Sequence, residues 1–409
     1  MAAPAAPAST LPLHGLRVLD LASFIAGPVA STVMGDYGAE VIKIEPPGDG
    51  DPQRKLGQAH SIPQHPVNFC WHLINRNKRA IVLDLKNADG RAAFDRLVRT
   101  ADVMVVNFPL KVRERLRMRY ADVAPLNPRL IYASMTGYGE QGPDAEQPGF
   151  DSTAFFARSG LLDALTYEGG PPAFSLPAQG DQMAGMNLFA AISMALLHRE
   201  RTGEGSEVST SLHASGLWSN GLLAQGALLG AFVAPRPPRT KPRSALANQY
   251  RTQDGRWIQL TIVREDKLWP ELCKALERTD LLDDPRFRTT EIRRAHATEL
   301  AAILDPVFAA HPWPEWKTRL RRHEITFGLL GVLRDVPDDE QATANGAVVP
   351  TAVAEMPRSI SAPIRLSFAA APAPAGPGPA HGADTDAILA ELGYEPAEID
   401  RLRASGALG

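Results

Sequence analysis

Leu16-Arg17-Val18-Leu19-Asp20-Leu21, followed by Gly27-Pro28, Gly38 and Val41-Ile42-Lys43-Ile44, is the stretch on which the fold turns. Its two apolar runs have the length of strands rather than helices. Between them Gly27-Pro28 opens a helix, because the fixed φ and missing N–H of proline suit a first turn. Gly38 closes that helix, and Glu45-Pro46-Pro47-Gly48 breaks the second strand. Outward from here the alternation repeats, with strands over 80–85, 102–107 and 129–134 and a helix over 88–100. Strands separated by helices pair in parallel through right-handed crossovers. The expectation is an α/β fold, a Rossmann-like large domain with a parallel sheet.

A second block begins near Asp181, with a helix over 182–199 ended by Gly203-Glu204-Gly205, a strand over 207–212 and an apolar helix over 214–229. A proline- and arginine-rich linker covers 234–243. Beyond it, 250–252 and 257–262 flank Asp254-Gly255 as the arms of a hairpin. Charge-rich helical segments over 266–325 complete a smaller α+β domain placed at 225–330. The large domain is then built from 13–224 and 331–409, with linkers at 230–248 and 369–383 and a short helix at 385–392. The Ala/Pro-rich start, 1–12, reads as a disordered tail without the pattern of a secretory signal.

Composition narrows the function classes. The 409 residues are 44% hydrophobic and 22% charged, with a formal charge of −3, which disfavours a nucleic-acid partner. No apolar run approaches the roughly 18–20 residues that cross a bilayer. Cys70 and Cys273 stand apart among apolar neighbours and read as reduced core thiols, so a cytoplasmic enzyme without membrane attachment is expected. There is no phosphate-binding G-x-x-x-x-G-K-[ST] loop, no G-x-G-x-x-G after the first strand and no G-x-S-x-G elbow. The ten histidines lack metal-ligand spacing, so no metal site is expected.

The informative segment is Gly180-Asp181-Gln182-Met183-Ala184-Gly185, at the start of the long helix. Asp181 can be an N-cap, accepting from first-turn amides. It can equally be a reactive carboxylate kept ionised by the helix N-terminus, which favours negative charge by about 0.3–1 kcal/mol. An ionised carboxylate attacks a thioester without giving up a proton, so no Ser/His/Asp relay is required. The two roles do not exclude one another.

In order and spacing, Gly15 to Leu21, Ala26-Gly27-Pro28, Gly35 to Glu45, Asn75 to Arg79, Leu83-Asp84-Leu85-Lys86, Asn107-Phe108, Leu126 to Arg129, Gly137-Tyr138-Gly139, Gly180-Asp181 and Arg201 to Gly205 resemble the family III coenzyme A transferases. That family includes formyl-CoA transferase, carnitine CoA-transferase and the 2-methylacyl-CoA racemases. Asp384-Thr385-Asp386 and Glu391-Leu392-Gly393 are similar to its terminal segment, while 250–360 is less alike.

The resemblance implies that Asp181 is the nucleophile, passing through an acyl mixed anhydride and an aspartyl-CoA thioester. It places Ile25-Ala26, Leu83, Asp84, Leu85, Lys86, Asn107, Phe108 and Arg115 around coenzyme A, with Lys86 and Arg115 available to phosphates. Acyl-CoA is then a substrate, no tightly bound cofactor is needed, and small carboxylic acids are the other partners. It also implies a homodimer of interlocked rings. Pro46, Pro109 and Ile25 depart from formyl-CoA transferase, and no glycine-rich loop occurs around Lys241 to Asn248, which argues against formate or oxalate. In the racemase branch a histidine precedes the aspartate matching Asp151. In this chain Phe150 occupies that position and cannot carry a proton, which disfavours an acyl-CoA racemase or isomerase. Phe150 is expected deep in the pocket, and Arg158 near a substrate carboxylate or in an ion pair. A non-catalytic acyl-CoA-binding protein is the third reading, disfavoured by the retained Gly180-Asp181 pair.

Overall fold

The computed structural model describes residues 11–59, 62–369 and 375–408. Most of the tail expected at 1–12, and part of the linker expected at 369–383, lie outside the described residues. Six strands make one sheet: β1 (Arg17–Asp20), β2 (Glu40–Glu45), β3 (Lys78–Val82), β4 (Val103–Val106), β5 (Ile131–Thr136) and β6 (Ser206–Ser211). Their order is β3-β2-β1-β4-β5-β6, and every neighbouring pair is parallel. This is the Rossmann-like sheet the alternation implies. Leu19 faces Ile42 on one side and Met104 on the other, so strand order reverses between β1 and β4. At such a reversal the loops diverge and leave a crevice beyond the carboxyl ends of the strands.

Both faces of the sheet are covered, which is why β4 reads as an unbroken apolar run, Val103-Met104-Val105-Val106, with every residue fully buried. On one face α1 (Ala26–Asp36) and the long helix Gln179–Thr202 share a core with Val18, Val105 and Ala133. A Cβ on Gly185 would lie 2.5 Å from Val29 Cβ and 2.7 Å from the Ala26 carbonyl, so this glycine sets how closely the two helices approach. On the other face the helix Ala88–Thr100 shares a core with the C-terminal helices Thr385–Glu391 and Pro396–Ala404.

Local differences from the sequence expectations have physical causes. β3 ends at Val82 because the chain then leaves the sheet, the Asp84 amide donating to the Ala407 carbonyl. The apolar segment 214–229 is two helices, Leu212–Ser219 and Gly221–Leu228, joined at Asn220. The terminal helix is followed by a second, with Pro396 at its first position.

A second compact unit consists of 164–173 and 234–340. Its three strands, β7 (Gln249–Arg251), β8 (Trp257–Leu260) and β9 (Phe327–Leu329), pair antiparallel, and Gly255 takes the positive φ of +78° needed in the β7–β8 turn. Its core stacks Tyr250 on Phe308 at 4.7 Å, with Trp316 against Phe308.

Candidate active site

Beyond the carboxyl ends of β1, β4 and β5, where the strand order reverses, lies a cavity of about 470 Å³. Ser23, Phe24, Ile25 and Ala26 line it after β1, Asn107 to Leu110 after β4, and Met135, Thr136 and Gly137 at the end of β5. Asp151, Ala178 and Asp181 close the far wall.

The turn after β1 is held from below. Phe24 has φ +61°, a conformation costly for a bulky residue, and its amide donates to Asp51 Oδ1 at 3.0 Å. Asn107 grips Ser23 twice, accepting from its amide at 2.8 Å and donating to its carbonyl at 2.7 Å. Lys43 Nζ donates to the Ala22 carbonyl at 2.7 Å and pairs with Asp51 at 2.7 Å. Behind it Lys78 pairs with Asp20 at 2.8 Å, and Ser31 donates to the same carboxylate. All four charged side chains are essentially removed from water. Burial would raise the Asp20 pKa, yet Lys43 and Lys78 outweigh it and hold the carboxyl below its ordinary range. Burial likewise opposes the charge on Lys43, but Asp20, Asp51 and Glu45 keep its pKa raised.

Asp181 is treated differently. The long helix begins at Gln179, three residues before the start that local sequence suggests, after Ala178 at φ +64°. Asp181 therefore lies within the first turn and not at the cap, and Ala178 supplies no capping side chain. Asp151, at the start of the π-helical turn Asp151–Ala157, stands near the backbone amides of Ser152, Gly180 and Ala178, which act to lower its pKa. A Cβ on Gly180 would lie 2.6 Å from the Phe155 ring, so glycine lets the helix start sit against this turn.

The Asp181 carboxylate is left without a hydrogen-bond or ion-pair partner among the described residues. Burial, and then the neighbouring Asp151, push it up to about 7. Burial and Asp151 thus oppose the favourable effect of the helix N-terminus on the Asp181 charge. Burial also raises the pKa of Asp151 against the opposing effect of its amide donors, and Asp151 Oδ2 is buried without a partner.

Of the residues singled out by sequence, Ile25, Ala26, Asn107, Phe108, Phe150 and Asp181 line this cavity, while Leu83, Asp84, Leu85, Lys86, Arg115 and Arg158 do not. Leu83 is 1% exposed, in the core with Ile81 and Phe94, and Leu85 packs against it. Lys86 and Arg115 are exposed. The buried arginine of the short helix Leu110–Arg115 is Arg113, which pairs with Glu140 at 2.5 Å and donates to the Phe108 carbonyl. Arg158 is exposed and pairs with Asp144 at 3.2 Å. Phe150 is not deep: it is 58% exposed, its ring edge-on to Phe24 at 5.9 Å. Phe24, Asp51 and Asp151 are site residues that sequence reasoning missed.

Among the described residues no cluster of His, Cys, Asp and Glu is placed to hold a metal ion, and no helix is long and apolar enough to cross a membrane. Both cysteines are free and buried.

Residues 13–385 match CoA-transferase family III. The cinnamoyl-CoA:phenyllactate CoA-transferase of Clostridium sporogenes is 33% identical over 95% of this chain and 95% of its own length. The succinyl-CoA:glutarate CoA-transferase of Mus musculus is 33% identical over 98% and 91%. The crystal structure of a CAIB/BAIF family protein from Brucella suis superposes with a TM-score of 0.82 at 29% identity, covering 94% of this chain and all of that one. With a family match running nearly the length of the sequence and a sheet of the matching fold, this chain belongs to the family III CoA-transferases and is an enzyme that transfers coenzyme A.

Proposed function

We propose that the chain moves coenzyme A from an acyl-CoA to a carboxylic acid, with Asp181 as the covalent nucleophile. The observation that carries this is a carboxylate without a partner, in the first turn of a helix, facing a cavity at the switch point of the sheet. Of the neighbouring buried carboxylates, Asp20 and Asp51 are committed to lysines.

In the first step an Asp181 oxygen bonds to the thioester carbon, the C–S bond breaks and CoA leaves as the thiolate. The product is a mixed anhydride. The thiolate then attacks the aspartyl carbonyl, the anhydride C–O bond breaks, and the original acid departs as its carboxylate. The acceptor carboxylate attacks the resulting aspartyl-CoA thioester and expels the thiolate again. Attack of the thiolate on the new acyl carbon yields the new acyl-CoA and frees Asp181. No net proton is consumed, which suits a site without a paired acid and base.

Ile25, Ala26, Asn107 and Phe108 are proposed to receive the reacting end of the coenzyme. Leu83 to Lys86 and Arg115 are proposed to meet its more distant parts outside the cavity, Leu83 through backbone alone. A homodimer is proposed as well, supported by Trp218, Leu222, Leu228, Leu229 and Phe232, which are 78–89% exposed within one short segment. Sedimentation equilibrium tests that part.

The chemistry is tested by incubating the protein with a panel of acyl-CoAs and hydroxylamine, then sequencing peptides by mass spectrometry. A hydroxamate at Asp181 is the expected result. Exchange of α-deuterium with no adduct would point instead to isomerisation.

A further inference from the structure

The relatives differ in the acid they are named for, one aromatic and one a dicarboxylate, so family membership does not choose the substrate. The cavity wall does. We propose that this site handles monocarboxylic acids with a bulky apolar tail, aryl or branched alkyl, and rejects dicarboxylates; this rests on Asp181 being the nucleophile.

The wall is apolar where a tail would lie, with Phe24, Ile25, Leu56, Phe108, Met135 and Phe150. Among its described residues none is Lys, Arg or His, and the charged ones, Glu146, Asp151 and Asp181, are all acidic. Cations on nearby segments are committed: Lys43 and Lys78 to buried carboxylates, Lys111 to Glu146 at 3.4 Å, Arg113 to Glu140 and Arg158 to Asp144.

The reacting carboxylate of a substrate loses its charge when it joins the anhydride or the thioester. A second carboxylate stays ionised throughout. It would sit in apolar surroundings, with no lysine, arginine or histidine among the described wall residues and with Asp151 and Asp181 of like sign along the wall, an arrangement strongly disfavoured. An apolar tail meets the opposite reception. The rings of Phe24 and Phe150 stand at 89° to each other and are 38% and 58% exposed, leaving uncovered aromatic surface at the mouth. Covering such surface favours binding, and aromatic pairs prefer the edge-to-face geometry already begun by these two rings.

The test is a competition. 3-Phenylpropanoate and glutarate are supplied at equal concentration with an acyl-CoA that labels Asp181, and the two CoA products are quantified by mass spectrometry. Their ratio reads the ratio of kcat/KM directly. A preference of about 100-fold or more for 3-phenylpropanoate is expected. Phe150→Ala should shrink that preference by roughly tenfold, through a loss on the aromatic acid alone. Comparable use of glutarate, or a ratio indifferent to Phe150→Ala, overturns the inference while leaving covalent transfer standing. If no acyl-CoA labels Asp181, the nucleophile assignment itself fails and this inference goes with it.

Discussion

Asp20 and Asp181 are carboxylates at the carboxyl end of one sheet, the first fully buried and the second partly exposed, and their surroundings treat them in opposite ways. Around Asp20 the fold supplies two lysines and a serine hydroxyl, and the pKa falls. Around Asp181 it supplies apolar wall and another carboxylate, and the pKa climbs to about 7. The first arrangement resists change and braces the Ser23–Ile25 turn. The second leaves a charge whose best available partner is an electrophile. Buried charge with full compensation therefore marks the frame, and buried charge without it marks the chemistry.

Substitutions at either carboxylate should separate the two roles. The largest effect is expected from Asp181→Asn, which should lower the rate of CoA exchange by about 10⁴-fold, since the variant cannot form the anhydride. Next comes Lys78→Met, which strands Asp20. Urea denaturation should show a loss of about 3–5 kcal/mol, and adding Asp20→Asn should recover part of it through coupling between the two sites.

A subtler contrast lies in stability against pH. The folded-state pKa of Asp181 is raised above its unfolded value of 3.8, so its ionisation progressively opposes folding as pH rises from about 4 to about 7. Asp181→Asn should accordingly gain on the wild type by about 1–2 kcal/mol at pH 8.5, discounted for partial exposure, and gain least at pH 4. Parallel thermal melts at the two pH values measure this, and an equal difference at both would remove the proposed burden on Asp181. The smallest effect concerns Asp151. The wild-type kcat/KM should rise with pH through an apparent pKa near 7, and Asp151→Asn should move that limb toward acid by deleting the like charge while keeping a side chain able to accept at the helix start.

Much of the frame was legible in the sequence. β1, β2 and the helix Ala88–Thr100 announce themselves because short apolar runs, Gly-Pro and Pro-Pro punctuation and helical spacing are local signals. Asp181 was legible as a residue at a helix start. What was not legible depends on segments distant in sequence. That Asp181 sits beside a second carboxylate follows from Asp151, thirty positions earlier. That Phe24 adopts positive φ follows from Asp51 and Asn107 gripping the turn. Phe150 lines the cavity but lies at its exposed side and not deep within it, because an aromatic residue between glycine and aspartate gives no local measure of exposure.

The two C-terminal helices carry a consequence for the making of this protein. Ile388, Leu389, Ile399, Leu402 and Leu408 complete the same hydrophobic layer as Leu19, Ile42 and Phe94, although more than 290 residues intervene. Until 385–408 dock, a sheet already formed keeps one flank bare, and undocking of that pair of helices would open an oily seam to other chains.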